Sequence, residues 1–485
     1  MTSREDSAAV SPARTMSGPG WDLRTFWRRA LAVIAPLPGL ALALEIGASP
    51  GSTRDTPDQQ LTSVAAHLGM ANLSIWMGVL AVVTAVPAVI AVCWATRRAA
   101  PRLTLAGGLL TFVGFSLALG LADTRPVLYV AARDGLDRQS TVQLAQLVGD
   151  HPAGMVALLG FLLGQAAGLL VLGIALWRSR LAPRWMGALL AVSGVAHALV
   201  PGSIGAGLTW AATGLGFAGA SVALWRMRDE DSDLPPIGTG QRGQTTAAGV
   251  PGLDARRVWR VLLAVTAPVM AVLIAVLRFA LPYNTLDDAR TVFEHSLAHQ
   301  TFDAVALWTG VLLAPTAVSG VIAAVWVSRR RAPVLATIGA FLAVPGFTAL
   351  AGQGSAQNII TILAAQGKVD PGFAYTASSA VQELPQSGAL VGIFVFGHLI
   401  GTIILGMALW RSHAVPAWIA WALAVSQPIH LISAMTGNHP LDLLGWGLTA
   451  FGFAAAGWVL LRMSDDEFDL PPAARLSLPR APGTR

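Results

Sequence analysis

Long apolar runs alternate with short polar segments along the whole chain, and each run approaches the length that crosses a bilayer as a helix, about 20 residues. The first six runs lie at about 29–46, 74–96, 103–122, 155–177, 184–203 and 205–225. Six more lie at about 259–280, 304–327, 334–351, 387–410, 416–435 and 441–461. We therefore predict an all-α polytopic membrane protein with twelve transmembrane helices.

The composition agrees with this pattern and excludes soluble classes of protein. Of the 485 residues, 54% are hydrophobic and only 12% are charged, whereas soluble domains carry about 25% charged residues. The expected surroundings are the lipid bilayer, and the formal net charge of +6 does not imply a nucleic-acid partner. The one cysteine, Cys93, excludes a disulfide framework and a thiolate metal site. Since no Walker loop or dinucleotide fingerprint is present either, we predict no metal and no cofactor.

Basic residues are concentrated in alternate connections, and such connections face the cytoplasm in most membrane proteins. Both termini are therefore predicted to be cytoplasmic. The polar ends and the polar middle of the chain are predicted to be disordered. The predicted organisation is a cytoplasmic arm at 1–25, a membrane repeat at 26–227, a cytoplasmic linker at 228–256, a second membrane repeat at 257–463 and a cytoplasmic tail at 464–485.

An internal duplication is indicated by residues that recur at a nearly constant spacing. The spacing is 232 for Trp27, His67, Trp76 and Trp94, which match Trp259, His299, Trp308 and Trp326. It is 233 for the segment ALWRS at 175–179 and 408–412, and 236 for Arg226-Met227 and Arg462-Met463. These matches predict two tandem copies of one six-helix unit.

Each predicted repeat has an even number of spans, so the two copies are expected to insert in parallel, with a cavity between them. The pattern Gly164-x-x-x-Gly168 recurs as Gly397-x-x-x-Gly401 and predicts close helix packing, either inside one half or between the halves. The segment Asp-Leu-Pro-Pro at 233–236 recurs at 469–472. It predicts a helix stop, with a docking peptide as the alternative.

Polar and aromatic side chains at membrane depth form the candidate site, because ionisable groups there are costly and mark function by default. We expect catalytic roles for Glu45, His197, His398 and His430, and substrate-binding roles for Gln165, Trp210, Arg278 and Trp446. Counting about 1.5 Å per residue from the inner ends of the helices puts them in the outer half of the bilayer. The cavity is therefore expected to be biased toward the outside.

Glu45 and Arg278 fall at almost equivalent places on the first and seventh predicted helices. An ion pair between them would let each charge offset the desolvation of the other. The alternative is that each side chain extends separately to the outer interface.

Several functions fit these residues. A small hydrophobic or isoprenoid-like molecule in the cavity could be rearranged by acid catalysis from a buried carboxyl or imidazole, as in an embedded cyclase or isomerase. The protein could instead be an exporter or secondary transporter, because two parallel sets of six spans are also the layout of the major facilitator superfamily. A haem bound between His398 and His430 is a third hypothesis. The first repeat lacks this pair of histidines, because Gln165 stands at the position that matches His398. A non-catalytic accessory or immunity protein is the remaining alternative.

The junction LWRSRLAPRW at 176–185 is repeated as LWRSHAVPAW at 409–418. It resembles the junction of the fourth and fifth helices in an uncharacterised six-helix bacterial integral membrane family. Members of that family similarly have a long outer loop before the fourth helix, and each half of this chain resembles one copy. The resemblance implies the fold and a plasma-membrane location, and it carries over no catalytic residue.

Overall fold

The computed structural model describes residues 22–52, 54–200, 202–237, 254–284, 286–352 and 355–473. Within these ranges every regular element is a helix. Eleven helical stretches among them are long and apolar enough to cross a membrane. The protein is therefore all-helical, with the pattern of a membrane-embedded chain.

The first half contains eleven helices among the described residues, and they range from 4 to 29 residues in length. They are α1 (Arg24–Ile34), α2 (Leu37–Gly47), α3 (Pro57–Ala66), α4 (Leu68–Thr96), α5 (Pro101–Ala118), α6 (Arg125–Asp134), α7 (Arg138–Gly149), α8 (Pro152–Ser179), α9 (Arg184–Leu199), α10 (Ser203–Arg226) and α11 (Asp229–Ser232). The break between α1 and α2 falls at Pro36, which cannot donate a backbone hydrogen bond to the helix. Together these two helices make one candidate span.

The helices of the second half follow a similar order. They are α12 (Ala255–Thr266), α13 (Val269–Phe279), α14 (Ala289–Ala298), α15 (Gln300–Leu313), α16 (Ser319–Ser328), α17 (Pro333–Ala351), α18 (Ser355–Ala365), α19 (Pro371–Gln382), α20 (Pro385–Ser412), α21 (Ala417–Thr436), α22 (His439–Arg462) and α23 (Asp465–Phe468). A short 3-10 turn that contains Pro315 separates α15 from α16. These two helices also form one candidate span.

Six short helices form a layer on one side of the bundle, which we call the cap: α3, α6, α7, α14, α18 and α19. The halves meet in the cap, where α6 packs on α19 and α7 on α18. The connections at the opposite ends of the long helices carry Arg97, Arg98, Arg329 and Arg330, and we call this the arginine-rich side. The long connections expected outside the membrane are thus folded helices.

The repeated glycine patterns hold neighbouring helices together inside each half. A Cβ added to Gly164 on α8 would lie 2.7 Å from the Cα of Gly114 on α5. One added to Gly397 on α20 would lie 2.8 Å from the Cα of Gly346 on α17. Only glycine permits such close backbones, so the prediction of packing inside one half is confirmed.

The structure corrects two predictions about the ends of elements. The span predicted at 184–203 is the helix α9, which has 16 residues and rises only about 24 Å; it is not among the eleven candidates. The stretches predicted to be disordered after each last span begin with the helices α11 and α23. These helices are held by ion pairs such as Arg28–Asp229 and Arg260–Asp465. The remaining parts of the predicted arm, linker and tail, at 1–21, 238–253 and 474–485, lie outside the described residues.

Candidate functional site

Three side chains of the second half form a polar chain around a buried carboxylate: Arg278 on α13, Asp442 on α22 and His430 on α21. Arg278 Nε donates to Asp442 Oδ2 at 2.6 Å, and His430 Nδ1 lies 2.6 Å from Asp442 Oδ1. Asp442 is only 1% exposed. The guanidinium offsets the cost of burying this carboxylate, which uses both of its oxygens.

Aromatic contacts join His398 and Trp446 to this chain. The rings of His398 and Trp446 are stacked with their centroids 5.6 Å apart, and the indole Nε1 lies 3.2 Å from His430 Nδ1. His398 Nδ1 donates to the carbonyl of Phe394 at 2.6 Å, while its buried Nε2 has no hydrogen-bond partner among the described residues. The structure thus brings together four of the eight predicted site residues: Arg278, His398, His430 and Trp446.

The corresponding part of the first half is simpler. The rings of His197 and Trp210 are 4.1 Å apart, and His197 Nδ1 lies 2.8 Å from the hydroxyl of Thr209. Gln165 on α8 is buried, and its Nε2 has no hydrogen-bond partner among the described residues. His197 and Trp210 therefore form a pair, and none of the contacts described here joins them to Gln165.

Glu45 and Arg278 do not form the predicted ion pair. Glu45 is buried on α2 and paired with Arg125 at the start of α6, while Arg278 is paired with Asp442. Each charge is thus neutralised by a partner in its own half of the chain, Glu45 by Arg125 and Arg278 by Asp442. Both side chains are therefore ion-paired, and neither is a lone charge.

Arg125 bridges two carboxylates, because its Nε also donates to Asp123 Oδ1 at 2.8 Å. Burial opposes the charge on Arg125, but the carboxylates of Asp123 and Glu45 outweigh it and hold the Arg125 pKa above its usual range. Burial likewise raises the pKa of Asp123, and its ion pair with Arg125 more than reverses this, so that pKa is lowered. The three side chains form a fixed charged cluster beneath the cap.

A mainly apolar cavity of about 340 Å³ lies between the two halves, and we call it the interface cavity. Its walls come from α1 and α4 in the first half and from α16 and α17 in the second. Arg24, Arg28 and Arg329 contribute to it, so it lies toward the arginine-rich side. None of the eight predicted site residues lines it.

Two ion pairs cross between the halves at the arginine-rich side, and we call them the reciprocal ion pairs. Arg97 of the first half pairs with Asp469 of the second, with Nε 2.6 Å from Oδ2. Arg329 of the second half pairs with Asp233 of the first at 3.1 Å. Both pairs are largely buried, and the second contributes to the lining of the interface cavity.

The reciprocal ion pairs explain the repeated Asp-Leu-Pro-Pro segments. The helices α11 and α23 end one residue before each segment, which confirms the predicted helix stops. Each segment then contacts the opposite half. The N–H of Ile237 donates to the carbonyl of Arg330, and that of Ala473 to the carbonyl of Arg98, both at 2.9 Å. The two segments therefore also act as docking segments, and each one binds to the opposite half of this chain.

Two residues that were not predicted from the sequence form ion pairs with the predicted site: Arg125, which pairs with Glu45, and Asp442, which pairs with Arg278. Asp442 carried a usable signal, because it is a carboxylate inside the last predicted span and stands one turn before Trp446. Arg125 had no such signal, since it lies in a segment that was expected to be a loop. Its contact with Glu45 is decided by how the cap packs on the long helices.

The described residues contain no group of three or more His, Cys, Asp or Glu side chains that could hold a metal ion. For haem, the rings of His398 and His430 are 5.6 Å apart, and Trp446 packs against both. His430 Nδ1 is also engaged by Asp442. A macrocycle between the two imidazoles would have to displace Trp446, so these residues do not fit the group.

None of the protein-family models, curated proteins or solved structures compared with this chain matches it. The roles of the site residues therefore follow from contacts, burial and charge. The arrangement offers two chemical environments: an apolar cavity closed by ion pairs, and a polar chain of arginine, buried carboxylate and imidazole beside stacked aromatic rings.

Proposed function

We propose that the halves are tandem copies of one six-helix unit, inserted in parallel in a bacterial plasma membrane. With the short α9 counted, each copy contributes six spans. The order of helices from α1 to α11 recurs from α12 to α23 when α15 and α16 are counted as one helix. The shared cap and the reciprocal ion pairs support a common orientation, because each requires the same ends of both halves on one side. The arginines opposite the cap favour a cytoplasmic location for that side and for both termini.

The function that the geometry favours is a carrier for a small hydrophobic or lipid-like molecule. The observation that carries this proposal is the interface cavity, which lies between the halves and is bounded at the arginine-rich side by the Arg329–Asp233 pair. Carriers built from two repeats work by moving one repeat against the other around a central site. Such a movement would break and remake the reciprocal ion pairs.

The walls of the interface cavity favour an apolar occupant. They include the rings of Trp27, Trp94, Trp326 and Phe341, and a polar ligand beside these rings would lose hydrogen bonds to water. The volume of about 340 Å³ lies at the lower end of the range for small-molecule sites, about 300–1,000 Å³. An isoprenoid or one acyl chain of a lipid is an occupant of suitable size and chemistry.

A membrane-embedded cyclase or isomerase is the second candidate. The observation that favours it is the cluster of His398, His430 and Asp442, in which the buried Nε2 of His398 has no hydrogen-bond partner among the described residues. Acid catalysis in the interface cavity is disfavoured, because Glu45 and the three expected catalytic histidines do not line it. Substrate would have to reach the histidine cluster instead.

Lipid movement by the purified protein tests the carrier proposal. The protein is reconstituted in liposomes that contain phosphatidylglycerol labelled with a nitrobenzoxadiazole fluorophore, and dithionite is added outside. We expect label from the inner leaflet to become reducible only in liposomes that contain protein. Protein-containing liposomes that behave like empty ones would contradict a carrier of lipid-like molecules.

A matched pair of variants on α17 tests whether the lipid moves through the interface cavity. Val344 lines the cavity, whereas Val334 is 40% exposed on the same helix and does not line it. We expect Val344→Trp to fill the cavity and abolish exchange, and Val334→Trp to leave it unchanged. Equal exchange by both variants would place the path elsewhere.

A further inference from the structure

A second cavity, of about 400 Å³, lies on the cap side of the second half. It is bounded by the end of α13 and by α14, α18 and α19, and it shares no lining residue with the interface cavity. We call it the cap cavity. Its size is within the range of small-molecule sites, about 300–1,000 Å³.

The lining of the cap cavity is rich in neutral hydrogen-bonding groups. Six hydroxyl side chains contribute to it: Tyr283, Ser296, Thr361, Tyr375, Ser378 and Ser379. Three amide side chains join them: Gln357, Asn358 and Gln382. Hydroxyls and amides can each donate and accept hydrogen bonds, so they match a ligand that carries the same mixture of groups.

The two charged residues of the cap cavity, Arg278 and Asp287, have opposite signs and already have partners. Arg278 donates to the buried carboxylate of Asp442. Asp287 Oδ2 accepts from the backbone N–H of Asn284 at 2.8 Å. Neither charge is therefore reserved for a ligand, and the lining as a whole has no net charge.

The polar groups are held in place by their surroundings. The rings of Phe293 and Tyr375 meet edge to face at 5.6 Å, and Arg290 lies over Tyr375 at 5.8 Å. Burial raises the pKa of Tyr283, so its phenol keeps its proton. The hydroxyl oxygen of Ser378 is buried and has no hydrogen-bond partner among the described residues, although buried polar groups normally have one.

On the proposed duplication, two hydroxyl residues of the cap cavity correspond to apolar residues of the first half. At the repeat spacings of 232 and 233, Ser296 corresponds to Val64 and Ser378 to Ala145. Val64 and Ala145 are buried in one hydrophobic cluster with Leu61 and Leu128. At these two positions the second half has hydroxyls where the first half has methyl groups.

We infer that the cap cavity binds an uncharged, hydroxyl-rich small molecule such as a monosaccharide or another polyol. The hydroxyls and amides of the lining would exchange hydrogen bonds with the ligand. The site lies on the side opposite the arginines. It would therefore sample the outside of the cell if the proposed orientation holds.

Calorimetric titration of the full-length protein in detergent tests this inference with glucose, trehalose and myo-inositol as probes. Glutamate, glycine and inorganic phosphate are the charged comparisons. We expect binding of at least one of the three uncharged probes and no heat from the charged ones. The absence of binding by all three uncharged probes at millimolar concentration, or stronger binding of a charged probe, would overturn the inference.

Variants that copy the first half locate the site. We expect the double variant Ser296→Val with Ser378→Ala to lose binding by about tenfold or more, since each lost hydrogen bond costs several-fold in affinity. Thr376→Ala changes a neighbouring exposed hydroxyl on α19 that does not line the cavity, and it should bind as the wild type does. If the double variant does not fold, Tyr283→Phe removes a single hydroxyl and should weaken binding several-fold. Wild-type affinity in every folded cavity variant would place the ligand elsewhere.

Discussion

The guanidinium of Arg97 and the carboxylate of Asp469 are ion-paired across the two halves, with Nε 2.6 Å from Oδ2. The pair is repeated in reverse by Arg329 and Asp233. Each arginine also lies over a tryptophan one turn earlier in its own helix, at 4.1 and 4.0 Å from the ring centroid. These two equivalent ion pairs join the arginine-rich ends of the halves beside the interface cavity.

Exchanging the charges of one reciprocal ion pair tests whether that pair stabilises the contact between the halves. Arg97→Asp should destabilise the protein by about 3 kcal/mol, because it leaves buried like charges without a cation. The double variant Arg97→Asp with Asp469→Arg should recover much of the loss, as measured by the thermal midpoint in detergent. Arg228→Ala is the control, since its pair with Glu230 is exposed and such pairs contribute about 0–1 kcal/mol. No recovery in the double variant would mean that the pair does not join the halves.

The polar chain in the second half should be sensitive to the loss of a single charge. Asp442→Asn leaves the Arg278 guanidinium without its carboxylate, so we expect a loss of about 3–5 kcal/mol of unfolding free energy. Replacing both residues by leucine and methionine, as Asp442→Leu with Arg278→Met, should restore part of it by removing both charges. Glu294→Gln breaks the exposed Arg290–Glu294 pair and should change the midpoint little. A loss in the double variant equal to that of Asp442→Asn would argue against the broken ion pair as the cause.

Two glycines of α20 should respond in opposite ways to alanine. A Cβ at Gly397 would lie 2.6 Å from the carbonyl oxygen of Leu342, whereas one at Gly392 would meet nothing within 4 Å. Gly397→Ala should therefore cost about 1–3 kcal/mol through overpacking. Gly392→Ala should be neutral or stabilise by about 0.5–1 kcal/mol, because alanine favours the helix. Thermal midpoints that fall equally in both variants would contradict the helix contact.

The ion pair of Asp123 and Arg125 should give stability that depends on pH. Because the folded-state pKa of Asp123 lies below its ordinary value of 3.8, the carboxylate stabilises the fold above that pH. The contribution is lost as the pH falls through the lowered pKa. The difference in thermal midpoint between wild type and Asp123→Asn should thus be largest near neutral pH and shrink in acid. A difference that stays constant into acid would exclude this ion pair as its source.

Much of the architecture followed from local properties of the sequence. Apolar runs predicted helices because a chain in lipid must satisfy its backbone hydrogen bonds internally, and eleven of the expected stretches are candidate spans. The helix stops at Asp233 and Asp469 were also local, since proline ends a helix. Helix α9 was overestimated because the apolar run continues past the point where the helix ends, at Leu199.

The partners of the charges were decided only by the tertiary structure. Glu45 and Arg278 are close to equivalent in sequence, yet each is paired within its own half, with Arg125 and Asp442. The position of the interface cavity and the reciprocal ion pairs depend in the same way on how helices from distant parts of the chain pack. Hydropathy and proline act over a few neighbouring residues, so their effects on helices can be predicted from the sequence. A salt bridge or a cavity exists only where separate segments meet, so it is a property of the packed bundle.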